Sequence, residues 1–178
     1  NDFHTAVSAD PSRRCHLLTL SHDELGVIFD GLADPLQPVV AVAFSSTCKG
    51  LRTPLQAALE VLKERHGRAV ALCCKAGTSC VSLRDATELQ WYDRGLTADD
   101  MATLGMILRT NGLPCLQNLY LSDNDFGDAG VRALCEGHFT ASSLHQIDFD
   151  DNKIGPAGAE ALAAALCRGA MPKLEELD

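Results

Sequence analysis

Three short groups of residues have types and spacings that suggest chemistry, but packing and turn formation explain each group better. Cys73, Cys74 and Cys80 form the only cysteine cluster, and they lack the paired C-x-x-C spacing and nearby histidine of a zinc site. The acidic run 148–151 offers oxygens to calcium, yet its alternation fits a strand and its turn. The segment 77–79 lacks the trailing glycine of a nucleophile elbow. The sequence therefore predicts no metal site.

Other signatures of catalysis are also missing. The sequence contains no Gly-rich phosphate loop of the G-x-x-x-x-G-K-[ST] form and no H-E-x-x-H pair. Its histidines are dispersed, and none lies at metal-ligand spacing from another: His4, His16, His22, His66, His138 and His145. We therefore predict that the protein is not an enzyme, with no catalytic residues and no cofactor.

The composition predicts a folded chain that binds neither nucleic acid nor membranes. The 178 residues are 46% hydrophobic and carry a formal net charge of −9, whereas a phosphate-binding face needs clustered lysine and arginine. The most apolar stretch, residues 39–44, is far shorter than the roughly 20 residues that span a bilayer. Eight scattered cysteines, several at interior positions, indicate a reducing intracellular compartment. This is the cytoplasm or nucleus, with an organelle not excluded.

A 28-residue repeat organises the second half of the chain. Residues 116–126 recur as 144–154, with apolar residues at matching positions and with Asn124 matched by Asn152. Each copy continues with a Gly-rich turn and a helical pattern. A degenerate copy precedes them, with Arg94 in place of the asparagine, and a partial copy breaks off at Asp178. We therefore expect repeats to begin near positions 87, 116, 144 and 174.

Elementary geometry explains this pattern. Leu119 and Leu121 alternate, so both point inward from a short strand while Asn118 and Tyr120 point outward. Asn124 suits a turn because its side chain can satisfy nearby backbone groups. A single repeat cannot bury its apolar face alone, so stacked neighbours must form a continuous core.

The segment G-x-x-G-[VA]-x-A-L, found at 127–134 and 155–162, resembles the leucine-rich repeat family. The period of 28 to 30 residues resembles the subtype of the ribonuclease inhibitor and of NOD-like receptor sensor domains. The resemblance covers roughly residues 87–178. It implies an α/β fold, a right-handed solenoid with parallel strands on a concave side and helices outside. We assign this solenoid to 67–178, with 67–86 as a capping region, and expect further repeats after the break.

Stacking would align the outward strand positions in columns on the concave face. These columns are rich in carboxylates, and they include two tyrosines, which give large contact areas with a polar tip. We predict that this face binds a basic protein surface. The residues are Glu88, Gln90, Tyr92, Asn118, Tyr120, Ser122, Asp123, Gln146, Asp148, Asp150 and Asp151. The alternative is a solvated polar face that binds nothing.

The first half of the chain predicts a small helical head over residues 16–66, after an N-terminal tail at 1–15. Apolar residues over 25–32 lie at helical spacing. Ser21 and Glu24 before them have the form of a capping box. We therefore expect a first helix to begin at Ser21.

Two further helices complete the predicted head. One is a short apolar helix over 36–44. The other opens with the Thr53-Pro54 signature, runs to about Arg65 and ends at Gly67. After it, we expect a strand at 68–73 that starts the solenoid and a loop at 75–82.

Two segments of this head resemble the F-box. Residues 20–32 are similar to its helix L-P-x-E-[LI]-[LI]-x-x-I-[LF]-x-x-L, and 42–52 to V-[SA]-x-[VT]-[CS]-[KR]-x-[LFW]-[RK]. The family's proline is absent after Leu20, and one residue is inserted before Glu24. The resemblance implies docking on the Skp-type adaptor of a cullin–RING ubiquitin ligase, while the repeats hold the substrate. The implied adaptor contacts are Leu20, Leu25, Ile28, Phe29, Leu32 and Pro35.

Two other roles stay open at this point. The protein is alternatively a structural or scaffold subunit of a larger assembly, with the head acting only as a cap for the repeats. In the third interpretation, the chain is a sensor-like part of a longer regulatory protein. An adaptor should expose an apolar patch on its first helices, whereas a scaffold should bury that patch against the repeats.

Overall fold

The computed structural model describes residues 20–46, 51, 53–136 and 143–178. The helices that the described residues bound come first: α1 (His22–Leu32), α2 (Val39–Ser46), α3 (Gln56–Ala76) and α4 (Cys80–Arg84). Strands and helices then alternate: β1 (Glu88–Gln90), α5 (Ala98–Arg109), β2 (Asn118–Tyr120), α6 (Gly127–Cys135), β3 (Gln146–Asp148), α7 (Pro156–Cys167) and β4 (Glu176–Leu177). The predicted tail at 1–15 and residues 47–50 and 52 of the F-box-like segment lie outside the described residues.

The four strands form one parallel sheet in the order β1-β2-β3-β4. Leu89 pairs with Leu119, Leu119 with Ile147, and Ile147 with Leu177, so the register follows the sequence repeat. A parallel neighbour needs a crossover connection, and α5, α6 and α7 supply those crossovers. The predicted α/β stack of parallel strands and helices is confirmed.

The core of the repeats lies between the sheet and its helices. The central residue of each of the first three strands, Leu89, Leu119 and Ile147, is at most 5% exposed, and its neighbours on the strand face solvent. Leu104 and Leu134 bury their side chains against them from α5 and α6. Full burial of one such leucine contributes about 1.5–3 kcal/mol, so stacking the repeats stabilises the sheet mainly through apolar burial.

The head has a second, smaller core. The predicted capping box is present, because Ser21 Oγ accepts from the backbone N–H of Glu24 and the Glu24 carboxylate accepts from the Ser21 backbone. The residues that share this core are buried: Leu25, Phe29, Ala33, Ala41, Leu51, Leu55 and Leu62. These contacts hold α1 and α2 against the start of α3.

Helix α3 is longer than the sequence predicted. It continues through Gly67 for 21 residues in all and ends at Gly77, whose φ of 73° closes it in the left-handed region. Its first turns bury Leu62 in the head, and its last turns bury Leu72 and Cys73 in the repeats. Burial at both ends outweighs the cost of one glycine in the interior, about 0.5–1 kcal/mol.

Several local predictions around α3 are therefore wrong. The expected helix end at Gly67 and the expected strand at 68–73 both fall within α3, and most of the expected loop at 75–82 is the end of α3 and the start of α4. Helix α3 also begins at Gln56 without a side-chain cap from the Thr53-Pro54 signature. The head–repeat boundary predicted at 66/67 lies inside one continuous helix, and the division into domains stays a prediction.

The segment between α1 and α2 joins the head to the repeats. Asp34 forms an ion pair with Arg84, and its carboxylate also accepts from the Leu36 backbone N–H at 2.8 Å. The backbone carbonyl of Pro35 lies 2.7 Å from the Nδ1 atom of His66. Leu36 is buried in the repeat core. Helix α2 begins only at Val39, so the predicted helix start at 36 is wrong.

Candidate protein-binding surface

The outward side chains of the sheet lie in columns along the strand register. Glu88 is beside Asn118, which is beside Gln146 and then Glu176. The next column aligns Gln90, Tyr120 and Asp148, and the Tyr120 hydroxyl donates to Gln146 Oε1 at 2.9 Å. Neighbouring strands lie about 4.8 Å apart, so these columns form a continuous polar surface.

The turn after each strand places a carboxylate at the edge of this surface. Asp93, Asp123 and Asp151 occupy equivalent positions and have φ values of 51°, 56° and 50°. Aspartate tolerates this left-handed conformation because its short polar side chain bonds locally. The backbone N–H groups of Asp93 and Asp123 donate to the next repeat at 3.1 Å. The turn geometry therefore repeats, and each of the three turns exposes an aspartate carboxylate.

The carboxylates extend to the end of β3. The Asp150 backbone N–H donates to an Asp148 carboxylate oxygen at 2.9 Å, while the Asp150 side chain is exposed. Tyr92 is 52% exposed and Ser122 is half-buried. We call the eleven predicted residues of this surface, from Glu88 to Asp151, the acidic strand face. It can attract and hydrogen-bond a cationic partner.

Buried asparagines hold the turns beneath the acidic strand face. Asn124 is 5% exposed; its Oδ1 accepts from the backbone N–H groups of Arg94 and Leu96, and its Nδ2 donates to the carbonyls of Trp91 and Leu121. The equivalent Asn152 donates to Leu121, Phe149 and Asp150 carbonyls. The sequence predicted only a local turn role for Asn124. The bonds to the preceding repeat are new, and the recurring asparagine was their only signal.

The cysteine cluster has the features of a packing site. Cys73 Sγ lies 3.5 Å from Cys80 Sγ, and Cys73 is 2% exposed. Burial, with the neighbouring Cys80 thiol, raises the pKa of the Cys73 thiol to about 12, which disfavours the thiolate form that ligates metals. Among the described residues, no group of three or more His, Cys, Asp or Glu side chains is placed to hold a metal ion.

The six predicted adaptor contacts are in different environments. Leu25, Phe29 and Pro35 are buried, Leu20 and Leu32 are half-buried, and Ile28 is 37% exposed. In this conformation the three buried side chains are covered by other parts of this chain. Their contact with an adaptor stays a prediction.

Sequence reasoning missed the most exposed apolar residues of the head. Val27 in α1 is 74% exposed, and Val39 and Val40 in α2 are 68% and 51% exposed. On α1, Val27 lies beside Ile28 in the chain. Ile28 belonged to the predicted set, but Val27 lies outside the helical spacing of the predicted residues and gave no separate signal.

Comparisons with known proteins agree with the repeat architecture. The leucine-rich repeat family model matches residues 112–135 and 140–163. The ribonuclease inhibitor of Sus scrofa is 39% identical over 80 residues, which cover 44% of this chain and 17% of the inhibitor. The protein phosphatase 1 regulatory subunit 37 homolog of Caenorhabditis briggsae is 33% identical over 96 residues, covering 51% of this chain and 10% of that protein.

The matches span less than a fifth of the length of these curated relatives. By name, one relative is an inhibitor and the other a regulatory subunit, and neither name is that of a catalyst. In the part of the chain that the structure describes, no helix is long and apolar enough to cross a membrane. The sequence repeat, the parallel sheet and the matched segments together show that this chain contains leucine-rich repeats.

Proposed function

We propose that this protein is a non-catalytic adaptor that holds a lysine- and arginine-rich protein on its acidic strand face. The observation that carries the proposal is the alignment of Asp93, Asp123 and Asp151 at the edge of the columns that contain Glu88 and Asp148. Leucine-rich repeat proteins mediate protein–protein interactions, and the similarity to a regulatory subunit fits this role. Clustered carboxylates raise the association rate of a cationic partner.

The aspartates at the turns permit a charge change that preserves the backbone. Asparagine also tolerates the left-handed conformation, so Asp123→Asn with Asp151→Asn removes two charges at little conformational cost. Binding of a fluorescent lysine-rich peptide should weaken about tenfold at low salt, measured by anisotropy. The matched control is Asp23→Asn with Asp30→Asn on α1, which removes two exposed charges far from the strands in sequence. Equal loss in both variants, or none in either, contradicts the proposal.

We further propose that the head docks on a Skp-type adaptor and that the protein works inside the cell as the substrate-recruiting subunit of a cullin–RING ubiquitin ligase. The support is the F-box-like pattern of residues 20–32 and the exposed Val27, Ile28 and Val39. The described cysteines are free thiols, which fits a reducing compartment.

Calorimetry with a purified Skp-type adaptor tests the head directly. Val27→Asp with Val39→Asp should abolish binding without unfolding, since both side chains are more than half exposed. Phe29→Ala is the matched variant from the core, where the residue is 1% exposed, and it should lower the melting temperature. If a folded wild-type chain does not bind the adaptor, the proposal is wrong and the head is only a structural cap for the repeats.

One observation favours the alternative, in which the protein is a scaffold subunit and its head only caps the repeats. The segment between α1 and α2 joins the head to the repeats. Leu36 is buried in the repeat core, and the Asp34–Arg84 ion pair and the Pro35–His66 contact link the head to α4 and α3. On this alternative, Leu36→Ala destabilises the repeats by about 2–5 kcal/mol and adaptor binding is never seen. Adaptor binding with affinity in the micromolar range or tighter excludes it.

A further inference from the structure

The end of α3 and the start of α4 bring two thiols into contact. Cys73 lies in the last turn of α3 and Cys80 is the first residue of α4, and their Sγ atoms are 3.5 Å apart. A disulfide bond is about 2.05 Å long, so each sulfur would move by about 0.7 Å, half of the difference, to form one. The two thiols are therefore positioned for a covalent bond as well as for packing.

The backbone between the two cysteines holds their sulfur atoms in this position. Gly77 ends α3 in the left-handed region with a φ of 73°, and the Thr78 N–H donates to the Cys73 carbonyl at 2.9 Å. On the other side of the turn, Ser79 Oγ accepts from the Ser82 N–H at 3.1 Å and caps α4. The contact of the sulfurs follows from these two capped helix ends, so a disulfide would form without rearrangement of the turn.

The two thiols differ in their access to solvent. Cys73 is 2% exposed, whereas Cys80 is half-buried and lines a depression of about 270 Å³ together with Val81 and Arg84. A small reagent can therefore reach Cys80 through this depression, but it reaches Cys73 only through Cys80. Cys74 is exposed although Cys73 beside it is buried, so its thiol lies on the solvent side of α3.

We propose that Cys73 and Cys80 are an oxidative modification site, at which a small soluble disulfide such as glutathione disulfide links the two thiols and fastens α4 to the end of α3. The Cys80 thiolate attacks one sulfur of glutathione disulfide, forms a mixed disulfide and releases the first glutathione. Cys73 then attacks the Cys80 sulfur, and the second glutathione leaves with the proton that Cys73 loses. The two cysteines lose two electrons and two protons, which reduce glutathione disulfide to two glutathione thiols.

The raised pKa of Cys73 fits the second position in this sequence. Burial, with the neighbouring Cys80 thiol, raises the pKa of the Cys73 thiol to about 12, so Cys73 reacts slowly with a reagent from solution. In the mixed disulfide Cys80 no longer carries a thiol, so its contribution to this shift is lost while the two sulfurs stay close. In a reducing compartment the resting state is the pair of thiols, and the disulfide is transient.

The disulfide would strengthen the part of the fold where the head meets the repeats. Helix α4 holds the segment between α1 and α2 through the ion pair of Arg84 with Asp34. The bond closes a ring over residues 73–80 and restricts the unfolded chain. We expect it to raise the melting temperature of the full chain by about 5–10 °C.

Peptide mapping of the full chain tests the proposal. The folded protein is equilibrated with mixtures of reduced glutathione and glutathione disulfide, free thiols are then alkylated, and the chain is digested with trypsin. Cleavage after Lys75 separates the two cysteines, so the disulfide should join peptides 69–75 and 76–84. Because peptide 69–75 also contains Cys74, the matched control is Cys74→Ser, which should retain the link. Cys80→Ser should lose both the link and the rise in melting temperature.

The same equilibrium in urea shows whether the folded geometry is the cause. The native chain should be half oxidised at a proportion of glutathione disulfide about a hundredfold or more below the proportion that the unfolded chain needs. Three results would overturn the proposal: no link between the two peptides in the native chain, loss of the link in Cys74→Ser, or equal oxidation of native and unfolded chains. The first would mean that the two thiols only pack, and the second that Cys74 is the partner of Cys80.

Discussion

Replacing Asn124 by alanine should destabilise the repeats more than any other single polar substitution on the sheet. Its side chain makes hydrogen bonds of 2.8–2.9 Å to the Leu96 N–H and to the carbonyls of Trp91 and Leu121, all buried, and two longer bonds at partly buried positions. Each buried group left without a partner costs about 1–3 kcal/mol. Carbonyls relax more easily than an N–H, so we expect a total of about 3–4 kcal/mol.

Alanine variants of two other asparagines provide the free energies of unfolding with which this prediction is compared. Asn118 faces outward on β2, and its alanine variant should cost less than about 0.5 kcal/mol. Asn152 has the same three donor bonds, but its Oδ1 has no partner among the described residues, so Asn152→Ala should cost less than Asn124→Ala. The expected order of destabilisation is Asn124, then Asn152, then Asn118.

Urea unfolding followed by circular dichroism measures the three free energies of unfolding. For a chain of this size, a loss of about 3–4 kcal/mol also lowers the melting temperature by roughly 6–16 °C. Two results would refute the reasoning: an Asn124→Ala cost below about 1 kcal/mol, or a cost no greater than that of Asn118→Ala. Either would mean that water replaces the lost bonds between the repeats.

Three further predictions concern the core, one close helix contact and one ion pair. Leu119→Asp places a carboxylate at a 0% exposed position and should abolish the cooperative melt, whereas Asn118→Asp should not. Gly105→Ala should destabilise by about 1–3 kcal/mol, because its Cβ would lie 2.9 Å from the Leu134 carbonyl oxygen. Gly67→Ala, with nothing within 4 Å, should stabilise α3 by about 0.5–1 kcal/mol, and thermal melts compare the two. Asp100→Asn should cost about 1 kcal/mol at pH 7, a difference that shrinks in urea unfolding as the pH falls below the unfolded pKa of about 3.9.

The pH dependence of the last prediction follows from the surroundings of Asp100. Burial alone would raise the pKa of this carboxyl, but the hydrogen bonds from Lys75 and Thr97 and the Lys75 charge together hold its pKa below the ordinary value. A pKa lowered by folding stabilises the native state above the unfolded pKa of about 3.9. That stabilisation is lost as the pH falls through the lower folded pKa. A difference between wild type and Asp100→Asn that stayed constant from pH 7 to pH 3 would contradict the Lys75 contact at 2.6 Å.

Much of the repeat region could be predicted from the sequence, because the same side-chain types recur in it at a fixed spacing. Leu119 and Ile147 recur 28 residues apart, and a parallel sheet must place equivalent residues side by side. The outward columns then follow from strand alternation, so Asn118 next to Gln146 and Tyr120 next to Asp148 needed no tertiary information. The capping box at Ser21 is likewise local and was predicted for the same reason.

Only the tertiary structure decided how the head meets the repeats. Gly67 looked like a helix end because glycine is a poor helix former, but burial of Leu62 on one side and Leu72 on the other keeps α3 helical through it. The sequence determined the repeat, its register and its acidic face, since these depend on residue type at fixed spacing. Three features depend on contacts between distant residues, which no local pattern encodes: the length of α3, the burial of Leu36 and the bonds of Asn124 to the preceding repeat.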